Sequence, residues 1–443
     1  MSAQVKHQQY PEKLHAYSTV TVLVLANIMS FIDRQIPSML VGPIKEDFNI
    51  SDSEVAILIG FAFSATYAIM ALPVGYAADR LQRKLVLGWG ICLWSFMTMA
   101  AVFATSYNKL LGARMGVAMG ETVIAPISVS LVSDSFPENQ RGLAMGIVTA
   151  GVYVGIGISL VGGGFLIDYL TSLGGLNLPL IGHVKPWQGA FLIAGLPGLF
   201  ITMAAFLLRE PIRQQAPDAS TKRAIGKDLV AHIKRHKVTL FLLLSGLMFQ
   251  AIIFYSFSAW APTMIVRTYD LTLSEAGATL GLITITASIL GTVVAGAASD
   301  KLTAKGYRDG PVRAAIVACL MALPAIGLAP LMESITLSWI LLAIYLFFIS
   351  SYSTLGLLAV ASVSGSSVKG QMTAFFALLM MISGMLGPQI TAGFTDFVFV
   401  DESRLNWSVA ITGVLTLPVA ILFFLLSLPH IRKSVDQLDS NTS

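Results

Sequence analysis

Gly75-Tyr76-Ala77-Ala78-Asp79-Arg80-Leu81-Gln82-Arg83-Lys84 closes one long apolar run, and Gly296-Ala297-Ala298-Ser299-Asp300-Lys301-Leu302-Thr303-Ala304-Lys305 closes another. Each sets a glycine four residues before an aspartate, follows the aspartate at once with a base, and adds a further base downstream. Each stands at the end of the second apolar run of its half of the chain. The segment is therefore an internal repeat, and working outward from it gives the fold.

The apolar runs are long. Eleven stretches of nineteen residues or more contain no Asp, Glu, Lys or Arg: 14–32, 55–78, 85–108, 142–167, 186–208, 238–266, 276–299, 314–332, 334–368, 370–395 and 405–431. Each can hold a helix of about 20 residues, enough to cross a bilayer. A twelfth run, near 108–132, has the length but carries Arg114 and Glu121, with Lys109 at its start. The stretch 334–368 holds one span and a connection from Gly365, and 169–184, rich in Gly, Pro and Asn, reads as a loop. Lipid offers an open strand no hydrogen bonds, so an all-α membrane protein of twelve transmembrane helices is expected. Residues 1–16 are polar and lead straight into a span, without the pattern of a cleaved signal.

Composition agrees. Of 443 residues, 55% are hydrophobic and 12% charged, with a mean hydropathy of +0.75; an average soluble domain carries about 25% charged residues. That excludes an ordinary soluble enzyme and a disordered chain. Two cysteines exclude a disulfide scaffold. A net charge of +4 is too small and scattered for nucleic-acid binding.

Basic residues set the orientation. With the N-terminus cytoplasmic, inside segments hold 21 Lys and Arg, outside loops hold five (Lys45, Lys109, Lys185, Arg267, Arg404), and Arg34 and Arg114 lie within spans. This bias puts both termini inside, in a plasma or bacterial inner membrane. The hydrophilic stretch after span six divides the chain. We expect a tail at 1–16, a six-helix half at 17–208, a cytoplasmic linker at 209–237, a second six-helix half at 238–430 and a tail at 431–443, the whole acting as a monomer. Parallel six-helix repeats around a midplane site are a transporter architecture.

The repeated segment has a mechanical reading. Gly75 would let helices approach closely. Asp79 with Arg80, Arg83 and Lys84, and Asp300 with Lys301, would make contacts at helix ends that break when the halves rock. A basic cluster that merely fixes orientation is the alternative for a single copy; a second copy at the equivalent place favours gating.

Four ionisable side chains fall well inside the spans: Asp33 and Arg34 in span one, Arg114 and Glu121 in span four. Each intramembrane charge costs about 2.5–3.5 kcal/mol, so such residues face a cavity or one another. Arg114 and Glu121 are two helical turns apart on one face. A carboxyl group there gains or loses its proton according to water access and its distance from an arginine. All six histidines lie outside the spans, so Asp33 and Glu121 are the candidates for proton coupling and Arg114 for their electrostatic switch. A fixed ion-pair set locking span one to span four is the alternative. Arg34 and Arg114, with Glu121, also suit an anionic head group. The second half has no such charge, and its candidate lining is amphipathic: Tyr255, Trp260, Tyr345, Tyr352 and Met380, residues that ordinary helix packing would equally explain. One charged wall and one amphipathic wall suit a ligand with a head and a tail. No intramembrane metal-ligand cluster, catalytic residue or cofactor is expected; the energy source would be a proton gradient.

With these residues in view, the chain resembles the major facilitator superfamily, in which the Gly75–Lys84 loop is a signature. The first half is similar to the Spinster-like branch through Phe31-Ile32-Asp33-Arg34, Ile50-Ser51-Asp52-Ser53, Trp94-Ser95, the Arg114–Glu121 segment with Ala125-Pro126, Asp134-Ser135-Phe136-Pro137 and Arg141-Gly142. That resemblance implies the major facilitator fold of two six-helix halves. It also implies proton-coupled movement of lysophospholipids or sphingosine-1-phosphate-like lipids by alternating access, and no enzyme activity. Anion:cation symporters of the same superfamily share the Asp-Arg and the Arg…Glu…Pro pattern, so a small organic anion is the alternative substrate. Two departures stand out: helix five lacks the proline of the antiporter-type Gly-Pro pattern, and the second copy of the loop motif lacks the paired bases at its end.

Overall fold

The computed structural model describes residues 10–179, 181–213, 228–364 and 368–440. Gly365 and parts of the expected tails and linker lie outside the described residues. Among the described residues, twelve helices are long and apolar enough to cross a membrane. They are Lys13–Met39, Asp52–Arg80, Arg83–Phe103, Tyr107–Ser135, Gln140–Ser172 and Pro186–Leu207, then Lys237–Tyr269, Leu273–Ala304, Gly310–Leu331, Ile335–Ser362, Lys369–Phe399 and Glu402–Gln437. We number these spans one to twelve. Several helices overrun their apolar windows, and His15 and His430, expected outside, fall within spans one and twelve, His15 in the first turn and His430 about two turns from the end.

The stretch 169–184 is not simply a loop. Span five runs on to Ser172, and Leu176–Leu178 pairs antiparallel with Gly182–Val184, Leu176 opposite Val184. Gly174, Gly175 and Gly182 adopt positive φ (68°, 105° and 83°), which glycine enters at no steric cost, and so turn the chain.

The contacts define two compact units. The first comprises Met1–Arg34, Thr66–Ile156 and Gly175–Asp218; the second comprises Gln35–Ala65, Gly157–Gly174 and Ala219–Ser443. Spans one, two and five are therefore each shared, spans two and five changing unit near their middles, at Ala65–Thr66 and Ile156–Gly157, and span one near its end, at Arg34–Gln35.

Within the first unit, span three packs on spans four and six. A Cβ on Gly120 would stand 2.6 Å from the Gly90 carbonyl oxygen and the Trp94 nitrogen, so bare backbone is what lets spans three and four touch. Just after this contact span four breaks, between Glu121 and Ile124. Within the second unit, Gly60 meets Gly384 and Pro388 of span eleven, and Gly157 meets Ile285 of span eight, with no room for a Cβ at either position. A π-helical turn at Ile57–Phe61 widens span two where it makes the first of these contacts.

Candidate functional site: a buried charge network on spans one and four

The four intramembrane charges come together within the first unit. Asp33 and Glu121 are 1% and 0% exposed and Arg114 is 2% exposed. Glu121 Oε2 accepts from Arg34 Nε at 2.5 Å and from the Ser30 hydroxyl at 2.7 Å. Asp33 Oδ2 accepts from the Thr98 hydroxyl of span three at 3.2 Å, and Arg114 Nη1 donates to the Asp33 backbone carbonyl at 3.2 Å. The spacing explains the meeting: Ser30, Asp33 and Arg34 are three and four residues apart on span one, one face of the helix. The break after Glu121 ends the rigid segment that carries Arg114 and Glu121 together.

The pairing differs in detail from the expected one. Arg34, rather than Arg114, holds Glu121, while Arg114 binds the backbone of Asp33 and feels both carboxylates. Among the described residues Asp33 Oδ1 and Glu121 Oε1 are buried with no hydrogen-bond partner, so each carboxyl retains a site where a proton can bind. Arg34 alone of the four is substantially open, its side chain 22% exposed. Its guanidinium lies 4.8 Å from the Phe31 ring centroid and 5.3 Å from that of Tyr67, cation–π distances. Ser30 and Thr98 were not singled out from sequence, since an isolated hydroxyl in a span carries no distinguishing pattern.

At the span ends near the termini, Arg83 is fully buried and forms a hub. It donates to Glu210 (2.7 Å), to the Ser130 hydroxyl (2.9 Å), to the Pro211 carbonyl (2.7 Å) and to Asp134. It thus ties the start of span three to the ends of spans four and six. The second unit carries the same device with the charges reversed. Buried Asp309 accepts from Arg313 at 2.8 Å and from Arg432 at 2.7 Å, tying the start of span nine to span twelve. Burial works to raise the Asp309 carboxyl, but the two guanidinium contacts overcome it and hold it below the usual carboxylate range.

A model of the Major Facilitator Superfamily matches residues 23–388. The chain belongs to this superfamily. An efflux pump of the superfamily from Mycolicibacterium smegmatis is 28% identical over 86% of this chain and 85% of its own length. The hexuronate transporter of Bacillus subtilis is 24% identical over 85% of this chain and 87% of its own. Among solved structures, a bacterial homologue of the human lysosomal transporter Spinster, inward-facing and unoccupied, superposes with a TM-score of 0.76, at 23% identity, covering 97% of this chain and 99% of that one. The protein is thus a multi-pass membrane protein with the fold of the major facilitator transporters, similar to Spinster.

The superfamily's loop signature takes a specific form here. Close approach is not what its glycines provide in this arrangement: a Cβ on Gly75 would meet nothing within 4 Å among the described residues, and one on Gly296 only Thr354 at 3.9 Å. Of the loop's bases, Arg83 forms the hub, Arg80 lies over the Tyr76 ring at 4.0 Å, and the Lys84 backbone N–H donates to Glu210 at 3.0 Å. Arg213 caps the end of span two, donating to the carbonyls of Ala78 and Leu81 at 2.7 Å and to that of Asp79. Asp300 and Lys301 are exposed. The buried carboxylate of that loop is Asp309, which lies four residues beyond the repeated segment and so is not marked by it.

The amphipathic candidates lie in the second unit. Phe254, Tyr255 and Tyr352 form one aromatic cluster, with centroids 4.5–6.3 Å apart. Met380 is 6% exposed. Trp260 and Tyr345 are fully buried, and their polar atoms donate to the Pro388 and Ile253 carbonyls at 3.0 and 3.2 Å. In this arrangement both fill space between helices.

Proposed function

We propose that the protein is a proton-coupled carrier working by alternating access, with an amphipathic lysolipid as its substrate. The observation that carries this reading is the Arg34–Glu121 pair: a buried carboxylate held by a guanidinium that is itself partly open and flanked by the Phe31 and Tyr67 rings. An anionic head group competes with Glu121 for Arg34, and protonating Glu121 releases Arg34 to the substrate. The apolar and aromatic flank suits the first methylenes of a tail. Asp33 is the second proton site, and Arg114, facing both carboxylates, makes their charge states depend on each other. Tyr255, Tyr352 and Met380 are the candidates of the second half for contact with a tail. The chain would act as a monomer in a plasma membrane with both termini cytoplasmic.

A small organic anion is the second reading, favoured by the likeness to the hexuronate transporter over most of both chains. The two are separated by melting the protein in nanodiscs with either ligand. A lysophospholipid that raises the melting temperature of the parent but not of Arg34→Gln supports the first reading; a hexuronate that does so while the lysophospholipid does not replaces it with the second.

A further inference from the structure

Two carboxylates that play no part in the account so far end spans five and eleven. Asp168 Oδ2 accepts from the backbone N–H of Ser274 at 2.9 Å and also from its hydroxyl. Asp396 Oδ2 accepts from the backbone N–H of Ser53 at 2.7 Å. Ser53 and Ser274 hold the same position in the same local pattern. Ser51-Asp52-Ser53-Glu54 opens span two and Thr272-Leu273-Ser274-Glu275 opens span eight, each as a complete capping box. In such a box the first side chain satisfies the amide of the glutamate, and the glutamate satisfies the amide of the first residue. Of the two amides between them, the second, that of Ser53 or Ser274, is one of the helix's unpaired donors. At both places an aspartate from the other half of the chain fills it.

The two contacts are images of each other. Spans two and eight correspond under the six-span repeat, as do spans five and eleven, and all four residues lie in the second compact unit, at the span ends opposite the termini. A carboxylate at a helix N-terminus is favoured by both charge-assisted hydrogen bonding and the helix dipole. Next to Asp168 the backbones are already in contact: a Cβ on Gly164 would stand 2.4 Å from the Leu273 carbonyl oxygen. The same face also carries one unrepeated ring of charges. Asp52 is bound by Lys45 at 2.5 Å and bidentately by Arg267 at 2.9 and 3.1 Å, and Glu402 closes the ring on Lys45 and Arg267.

We propose that Asp168 and Asp396 are a matched pair of latches that hold the face opposite the termini shut, and that both release when that face opens. This rests on the alternating-access reading above. Both contacts include a backbone amide donor, with the Ser274 hydroxyl added at Asp168, so only substitution of the aspartates removes them whole. Asparagine keeps an acceptor and loses the charge; alanine loses both.

The test uses a protein lacking Cys92 and Cys319 with Thr284→Cys, a buried position ten residues or about 15 Å along span eight from Ser274. It is reconstituted in sealed vesicles of either orientation and exposed, without any substrate, to a membrane-impermeant maleimide. Asp396→Asn is expected to speed labelling about 5-fold, the loss of charge assistance on one hydrogen bond, Asp168→Asn, with two such bonds, by at least about 5-fold, and the double variant by at least about 25-fold. Running the series also in Arg267→Gln, which opens the charge ring, keeps that ring from masking the effect. Labelling at the parent rate in the double variant in both backgrounds would overturn the proposal. So would a response to only one aspartate, or a rise that merely follows loss of monodisperse protein on size exclusion. No lysolipid is present, so failure of the substrate reading leaves this result intact, and vesicle orientation reports separately which side the face is on.

Discussion

Arg34 on span one and Glu121 on span four are joined at 2.5 Å, and the two partners are unequally placed: the carboxylate is sealed, while the guanidinium is 22% exposed. An anionic substrate would reach only the guanidinium, and the carboxylate would be open only to a proton. The exchange proposed above rests on this asymmetry.

The asymmetry predicts unequal mutants. Arg34→Gln leaves Glu121 buried with Ser30 as its remaining hydrogen-bond donor and with an Arg114 charge it shares with Asp33, and breaking a buried pair costs about 3–5 kcal/mol unless the remaining charge is neutralised. Adding Glu121→Gln removes that charge. The double variant should therefore melt at a higher temperature than Arg34→Gln alone, with a coupling of about 0.5–3 kcal/mol in a double-mutant cycle. Simple additivity would show that the two side chains do not act as a pair.

Arg83 should not tolerate lysine. Its planar fork serves Glu210, Asp134, Ser130 and Pro211 in different directions, which a point charge cannot reproduce. Arg83→Lys and Arg83→Ala are both expected to shorten the half-life at elevated temperature, alanine by an amount consistent with losing a buried pair, about 3–5 kcal/mol. A lysine variant as durable as the parent would mean that charge alone matters there.

Acid should act at two places near the termini. Burial holds the His232 and His236 imidazoles below the usual histidine range, aided for His236 by its neighbour His232 and for both by Arg235. Their rings lie 4.7 Å apart, and His236 bonds the Ser434 hydroxyl of span twelve at 3.0 Å. A folded state that prefers the neutral ring is most stable above the unfolded value, about 6.5, and loses that contribution as pH falls. Melting temperature should decline below about pH 6.5, and less so in His236→Gln.

Asp309 gives the second decline. Its folded carboxyl lies below the unfolded value, so its contribution is present above about pH 3.9 and disappears as pH falls through the folded value. In Asp309→Asn this lowest part of the acid limb should flatten.

Glycines separate the present arrangement from others. A Cβ at Gly60 would stand 2.8 Å from the Gly384 oxygen and 2.9 Å from Pro388 Cγ, whereas one at Gly75 would meet nothing within 4 Å among the described residues. Gly60→Ala should lower the melting temperature and Gly75→Ala should not. If Gly75→Ala slows transport all the same, the bare backbone at Gly75 serves a different conformation of the cycle.

What could be read in the sequence follows from cost. Lipid forbids charge and open backbone, so uninterrupted apolar windows revealed the spans, and the four charges that break the rule proved to form one network. The Arg83 and Asp309 hubs stayed hidden for the opposite reason. Loops are full of charges, and nothing in residues 83, 134 and 210 says that they converge across more than a hundred positions. Asp168 and Asp396 were missed because each looks like a polar boundary at the end of a span. The paired capping boxes at Ser51–Glu54 and Thr272–Glu275 were the signal that could have exposed them. The hairpin at Leu176–Val184 is too short, at three residues a strand, to show alternation.

The central claim is that Glu121 and Asp33 couple protons to movement of an amphipathic anion. It is tested most directly by flux of a labelled lysophospholipid into proteoliposomes, with and without a pH gradient, beside a labelled hexuronate. The account predicts lysophospholipid flux that the gradient changes in the parent and that loses this response in Glu121→Gln and Asp33→Asn. Hexuronate flux without lysophospholipid flux, or an unchanged pH response in both variants, would contradict it.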